Sequence, residues 1–132
     1  MNPNGHKWVL IVDDEESVRT LLKVTFERLR PDYQVVTAPD SFAALGRMMQ
    51  HSFDLVLTDW HMGGMDGLEL AGAIRDISPD TRILLMTGSD PCQLPDMVKS
   101  VGLNGWLEKP FTPVQVLNVV DQVMEATDEP AR

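Results

Sequence analysis

One cysteine, few basic residues and no long apolar run are the scarcities of this 132-residue chain, and each removes a class of explanation. A single thiol, Cys92, excludes an internal disulfide and fits a reducing, cytoplasmic setting. Eleven Lys and Arg stand against 20 Asp and Glu, a formal net charge of −9. That balance argues against direct nucleic-acid binding, because displacing phosphate counterions takes clustered Lys and Arg. No apolar run approaches the roughly 20 residues that span a bilayer, so no membrane partner is expected. The start, Met1-Asn2-Pro3-Asn4-Gly5-His6-Lys7, lacks the apolar core of a signal peptide. Internal repeats and low-complexity tracts are missing as well.

What is present is the composition of a soluble globular protein, 43% hydrophobic and 23% charged. The length suits one domain with one proper core. That domain is expected over 7–126, with 1–6 as an N-terminal extension and 127–132 as a tail or the start of a linker.

Buried-strand runs alternate with amphipathic stretches. Trp8 to Val12 reads as a first strand, followed by a helix with Val18, Leu21, Leu22, Thr25, Phe26 and Leu29 on one face, stopped by Pro31. Gln34 to Ala38 is a second strand, and Asp40 or Ser41 caps a helix carrying Phe42, Leu45, Met48 and Met49. A third strand, Leu55-Val56-Leu57, ends at Asp59, and Leu68, Ala71, Ile74 and Ile77 mark the next helix. Arg82 to Met86 is a fourth strand. A less regular helix holds Met97, Val98 and Val101 and stops at Gly102; with Pro91 and Pro95 crowding it, it is expected to begin near Leu94 or Pro95. Gly105 to Glu108 is a fifth strand, and Val116, Leu117, Val120, Val123 and Met124 line a last helix. Five βα units predict an α/β fold, a parallel sheet with helices on both faces.

The polar residues just past the strands carry the chemistry. Asp13, Asp14, Glu15 and Glu16 follow the first, Asp59 ends the third, Thr87-Gly88-Ser89 follows the fourth, and Lys109-Pro110 follows the fifth. Parallel strands end side by side, and open α/β sheets bind ligands at that edge. Three carboxylates there would repel one another without a hard cation, and Mg2+ takes oxygen ligands together with a phosphate. An ammonium and a hydroxyl suit phosphoryl oxygens, which leaves Asp59 as the acceptor. Glu15 and Glu16 read as helix-start residues favoured by the helix dipole, and Asp66 as a turn and cap residue.

These motifs, Val12-Asp13-Asp14-Glu15, Asp54 to Asp59 with Met65-Asp66-Gly67, Met86-Thr87-Gly88 and Lys109-Pro110-Phe111, resemble the receiver domain of two-component response regulators. The resemblance implies a flavodoxin-like, doubly wound sheet of order 2-1-3-4-5 with five helices. It implies Mg2+-dependent phosphorylation of Asp59 by a histidine kinase or a histidine phosphotransfer protein. Asp14, Asp59 and the backbone carbonyl of His61 would hold the ion, with Asp13 acting through water. Thr87 and Lys109 would bind the phosphoryl oxygens, and the Lys109–Pro110 bond would be cis. Thr87 and Trp106 would act as the switch, altering the face of the fourth helix, fifth strand and fifth helix for an effector that the sequence does not identify. Such a protein is no enzyme beyond the chemistry of its own aspartate.

Two departures stand out. Gly63 occupies a loop position usually held by Pro, and Trp106 stands where receivers usually carry Tyr, Phe or His, which leaves the indole's swing open. His61, two residues past Asp59, could overhang the cleft and influence phosphate lifetime. Among rivals, a nucleotide-binding enzyme would need a glycine-rich loop after the first strand, where four acids stand instead. An aspartyl phosphatase would want a second acid where His61 lies. A degenerate receiver acting without phosphorylation is the remaining alternative.

Overall fold

The structure, a computed structural model, describes residues 6–88, 96 and 98–126. Ten elements alternate along the chain: β1 (Lys7–Val12), α1 (Glu16–Leu29), β2 (Tyr33–Ala38), α2 (Ser41–Gln50), β3 (Leu55–Asp59), α3 (Gly67–Ile77), β4 (Arg82–Thr87), α4 (Val98–Gly102), β5 (Gly105–Glu108) and α5 (Pro113–Ala126). The strands are parallel and ordered β2-β1-β3-β4-β5, as the sequence resemblance implied. Val12 pairs with Thr58 and Asp59 with Met86, so the carboxyl ends of β1, β3 and β4 fall in line.

Strand periodicity divides the core into two layers. Val9, Ile11, Leu55, Leu57, Leu84 and Met86 pack with Leu22 and Phe26 of α1 and with Val116, Leu117 and Val120 of α5. The alternate residues Leu10, Val12, Val56, Ile83 and Leu85 pack with α2 and α3 through Ala44, Met48, Leu70, Ala71 and Ile74. Both faces of the central strands are therefore covered, which is why their sequences run apolar without alternation. Among the described residues no helix is long and apolar enough to cross a membrane.

Helix starts follow local chemistry. Asp40 caps α2 by accepting from the Ala43 amide at 2.8 Å. Asp66 and Glu69 form a reciprocal capping box on α3, each bond 2.9 Å. The fourth helix departs from a regular form: its described part is wound as a π-helix and closes at Gly102, with φ at +84°, where glycine carries little steric cost. Its expected start, with Ser89, Pro91, Cys92, Leu94, Pro95 and Met97, lies outside the described residues, as do most of the N-terminal extension and the tail.

Three apolar stripes are narrower than their periodicity suggests. On α2 the buried residues are Ser41, Ala44 and Met48, whereas Phe42 is 69% and Met49 86% exposed. The helix is turned so that Ser41 donates to the Met65 carbonyl at 2.9 Å, and the two larger apolar residues, seven apart, share an outer stripe. Leu21 and Leu29 on α1 and Ile77 at the end of α3 are likewise exposed.

Candidate phosphoacceptor site

The site is assembled by loops that prolong the sheet's own hydrogen bonding. Beyond β1 the Asp13 amide donates to the Ala38 carbonyl at 3.2 Å; beyond β3 the Trp60 amide donates to the Met86 carbonyl, and beyond β5 the Lys109 amide donates to the Thr87 carbonyl at 2.7 Å. Each turn thus leaves its strand in a set direction, and the side chains meet at one edge.

Asp13 is fully buried, Asp59 nearly so, and Asp14 exposed. One carboxylate oxygen from each lies within 4.8 Å of the others. The Lys109 Nζ stands 3.0 Å from Asp13 Oδ2 and 3.3 Å from Asp59 Oδ1, with Glu15 Oε1 at 3.8 Å. Asp13 Oδ1 accepts from the Glu15 amide at 2.9 Å. Both Asp13 oxygens are therefore engaged, one by the turn and one by the ammonium.

Burial, the neighbouring Asp13 charge and, more weakly, Asp14 push the Asp59 carboxyl above its ordinary value despite the opposing pull of Lys109. Burial alone would lower the Lys109 ammonium, but its hydrogen bond to Asp13 and the charges of Asp13 and Asp59 hold it above the ordinary lysine value. The cluster is a charge excess balanced by one cation. Hard oxygen donors at this spacing suit a divalent cation of the Mg2+ kind.

Of the other expected residues, Thr87 is fully buried at the end of β4, inside the strand rather than after it. The Lys109–Pro110 bond is cis, as the resemblance implied. His61 is exposed and stacks on the half-buried Trp60, ring centroids 4.8 Å apart and 11° from parallel. Trp106 is half-buried three residues before Lys109, packed against the α2–α3 layer.

Two supports escaped the sequence reading. Arg19 on α1 donates to the Asp13 carbonyl at 2.7 Å, bracing the backbone that carries the buried carboxylate. Gly67 opens α3 so close to the end of β3 that a Cβ there would lie 2.1 Å from the Asp59 carbonyl oxygen. Its amide donates to the Trp60 carbonyl at 2.8 Å. The Asp66-Gly67 pair signals a capped helix start, but nothing in it tells that the glycine touches the Asp59 backbone.

A parallel sheet of this order, with three carboxylates and a lysine at its carboxyl edge, defines a receiver-type signalling module, and comparison with known proteins agrees. Residues 9–121 match the model of the response regulator receiver domain, and the chain belongs to that family. It is 30% identical over 124 residues to the chemotaxis protein CheY-3 of Vibrio cholerae, covering 92% of this chain and 95% of that one. Among solved structures it is similar to chemotaxis protein CheY4 of Vibrio cholerae, with 34% identity, a TM-score of 0.83, and coverage of 89% and 98%. It is also similar to the response regulator TrrA of Thermotoga maritima, solved in complex with Mg2+ and BeF, with 30% identity, a TM-score of 0.77, and coverage of 89% and 98%. Several other curated relatives, transcriptional regulators among them, are about twice as long, and the chain spans about half of each. Receiver domains are signalling modules that bind Mg2+ at an acidic cluster and work with histidine kinases and effector domains.

Proposed function

We propose that Asp59 is the phosphoacceptor of a phosphorylatable receiver. The observation that carries this is the Lys109 ammonium bridging Asp13 and Asp59 at 3.0 and 3.3 Å beside a third carboxylate. An Asp59 carboxylate oxygen attacks the phosphorus of a partner's phosphohistidine, the P–N bond breaks, and the imidazole leaves. Lys109 and the Thr87 hydroxyl then bind the phosphoryl oxygens. The chemistry a bound Mg2+ supplies here is neutralisation of charge on the transferring group. Asp14, Asp59 and the His61 backbone carbonyl would hold the ion directly. Asp13, both of whose oxygens are already hydrogen-bonded, would act through water.

The output follows from the same contacts. Drawing Thr87 toward the phosphoryl group frees space that Trp106 can enter, which changes the face formed by α4, β5 and α5. The kinase or phosphotransfer donor and the effector are separate partners, a cytoplasmic location goes with this chemistry, and residues 7–126 form the receiver.

Beryllofluoride titration followed by Trp fluorescence tests the proposal. A saturable change that needs Mg2+ and disappears in Asp59→Asn is expected. A wild-type chain that binds Mg2+ yet gives no beryllofluoride response would favour the phosphorylation-independent module instead.

A further inference from the structure

At the opposite edge of the sheet from Asp59 lies a polar cleft of about 610 Å3, lined by residues from the end of α3, the start of β4 and the α4–β5 connection. Arg75 and Arg82 both line it. Arg75 is spent on the protein: Nη1 donates to the carbonyls of Pro79 and Thr81 at 2.6 and 2.7 Å, and Nη2 to the Gly102 carbonyl at 2.6 Å and Asn104 Oδ1 at 3.2 Å. Those bonds clamp the floor of the cleft, and Asn104 is itself fixed by the Ile83 amide at 2.8 Å.

Arg82 is differently placed. Nη1 donates to the Asp80 carbonyl at 3.0 Å, while Nε is the one buried side-chain polar atom without a hydrogen-bond partner among the described residues. Neither arginine forms an ion pair with a carboxylate among the described residues, although Asp80 also lines the cleft. The two guanidinium groups repel each other, and burial with the Arg82 charge pulls the Arg75 guanidinium below its ordinary value against the opposing charge of Asp80. Asp80 offsets part of that repulsion without forming an ion pair, so the lining holds two cations against one carboxylate.

We propose that this cleft binds a small oxyanion, a phosphate or a carboxylate, held in a charge-assisted fork by Arg82, with the clamped Arg75 supplying the second positive charge. The anion relieves the repulsion between the two arginines and offers acceptors to the Nη protons of Arg82, the fully buried Nε being closed to it. The site is independent of the acceptor chemistry at Asp59 and does not rest on it.

The test is a titration of the metal-free full chain with inorganic phosphate, sulfate and acetate at constant ionic strength, followed by amide chemical shifts. Saturable shifts at Arg82, Gly102 and Asn104 are expected. Losing one charge-assisted contact in Arg82→Gln should weaken binding roughly tenfold or more. Arg82→Lys, which keeps the charge without the fork, should fall between, and Lys23→Ala, an exposed change on α1, should bind as wild type does. Preference for phosphate and sulfate over acetate assigns a phosphoryl-type ligand, and equal binding a general oxyanion site. Shifts matched by chloride, shifts confined to the Asp59 edge, or unchanged affinity in folded Arg82→Gln would overturn the proposal.

Discussion

Replacing Lys109 by Met removes one charge from a cluster that holds three carboxylate oxygens within 4.8 Å of one another. At an effective dielectric of about 20, unit charges at that spacing repel by about 3.5 kcal/mol per pair, and each ammonium–carboxylate contact near 3 Å returns about 5 kcal/mol. Those are gross terms, reduced by desolvation and relaxation. Removing one partner of a buried pair costs about 3–5 kcal/mol. Lys109 is partly solvated, with 20% of its side chain exposed while Asp13 has none, so about 2–3 kcal/mol is the scaled expectation. For a domain of this size that lowers Tm by roughly 6–15 °C. Urea denaturation of wild type and Lys109→Met in EDTA and in Mg2+ is the assay. The loss should be largest in EDTA and should shrink with Mg2+, since the ion takes over as countercharge. A loss under about 0.5 kcal/mol in EDTA, the size of an ordinary surface change, or a loss indifferent to Mg2+, would refute the idea that Lys109 balances the cluster.

Other outcomes follow from the same geometry. The Asp59 carboxyl lies above its ordinary value in the folded, metal-free chain, so its favourable contribution is complete below the unfolded value and is lost as pH rises through the folded one. Asp59→Asn should therefore be more stable than wild type in EDTA at neutral pH, with the gap closing toward acid; equal denaturation midpoints across pH 4–8 would contradict this. Gly67→Ala places a Cβ against the Asp59 carbonyl and should cost about 2–3 kcal/mol by thermal or urea unfolding while slowing phosphoryl uptake. Phe42→Ser should change stability by no more than about 0.5 kcal/mol, because the ring is 69% exposed; a loss of core size would return Phe42 to the interior.

Much of this was legible in the chain because it depends on order along the sequence. Apolar runs such as Val9 to Val12 and Leu55 to Leu57 have no polar alternation, so they could only be strands covered on both faces, and parallel strands bring their ends together. Asp13, Asp14, Asp59 and Lys109 converge for that reason alone. Less visible was what depends on helix rotation and close approach. Phe42 and Met49 obey helical spacing as well as Met48 does, and only the docking of Ser41 on the Met65 carbonyl turns them outward. The division between a buried Asp13 and an exposed Asp14 follows from the turn after β1, where Asp13 meets both the Glu15 amide and Lys109. Arg19 bracing Asp13, and Gly67 against Asp59, are tertiary contacts that carry no local signal of their own.

The proposed chemistry places the phosphoryl group on Asp59. Intact-mass measurement after incubation with acetyl phosphate tests it most directly. The wild type should gain one phosphate, dependent on Mg2+, and Asp59→Asn should gain none. A gain that survives in Asp59→Asn, or none in wild type under conditions that label other receivers, would contradict it.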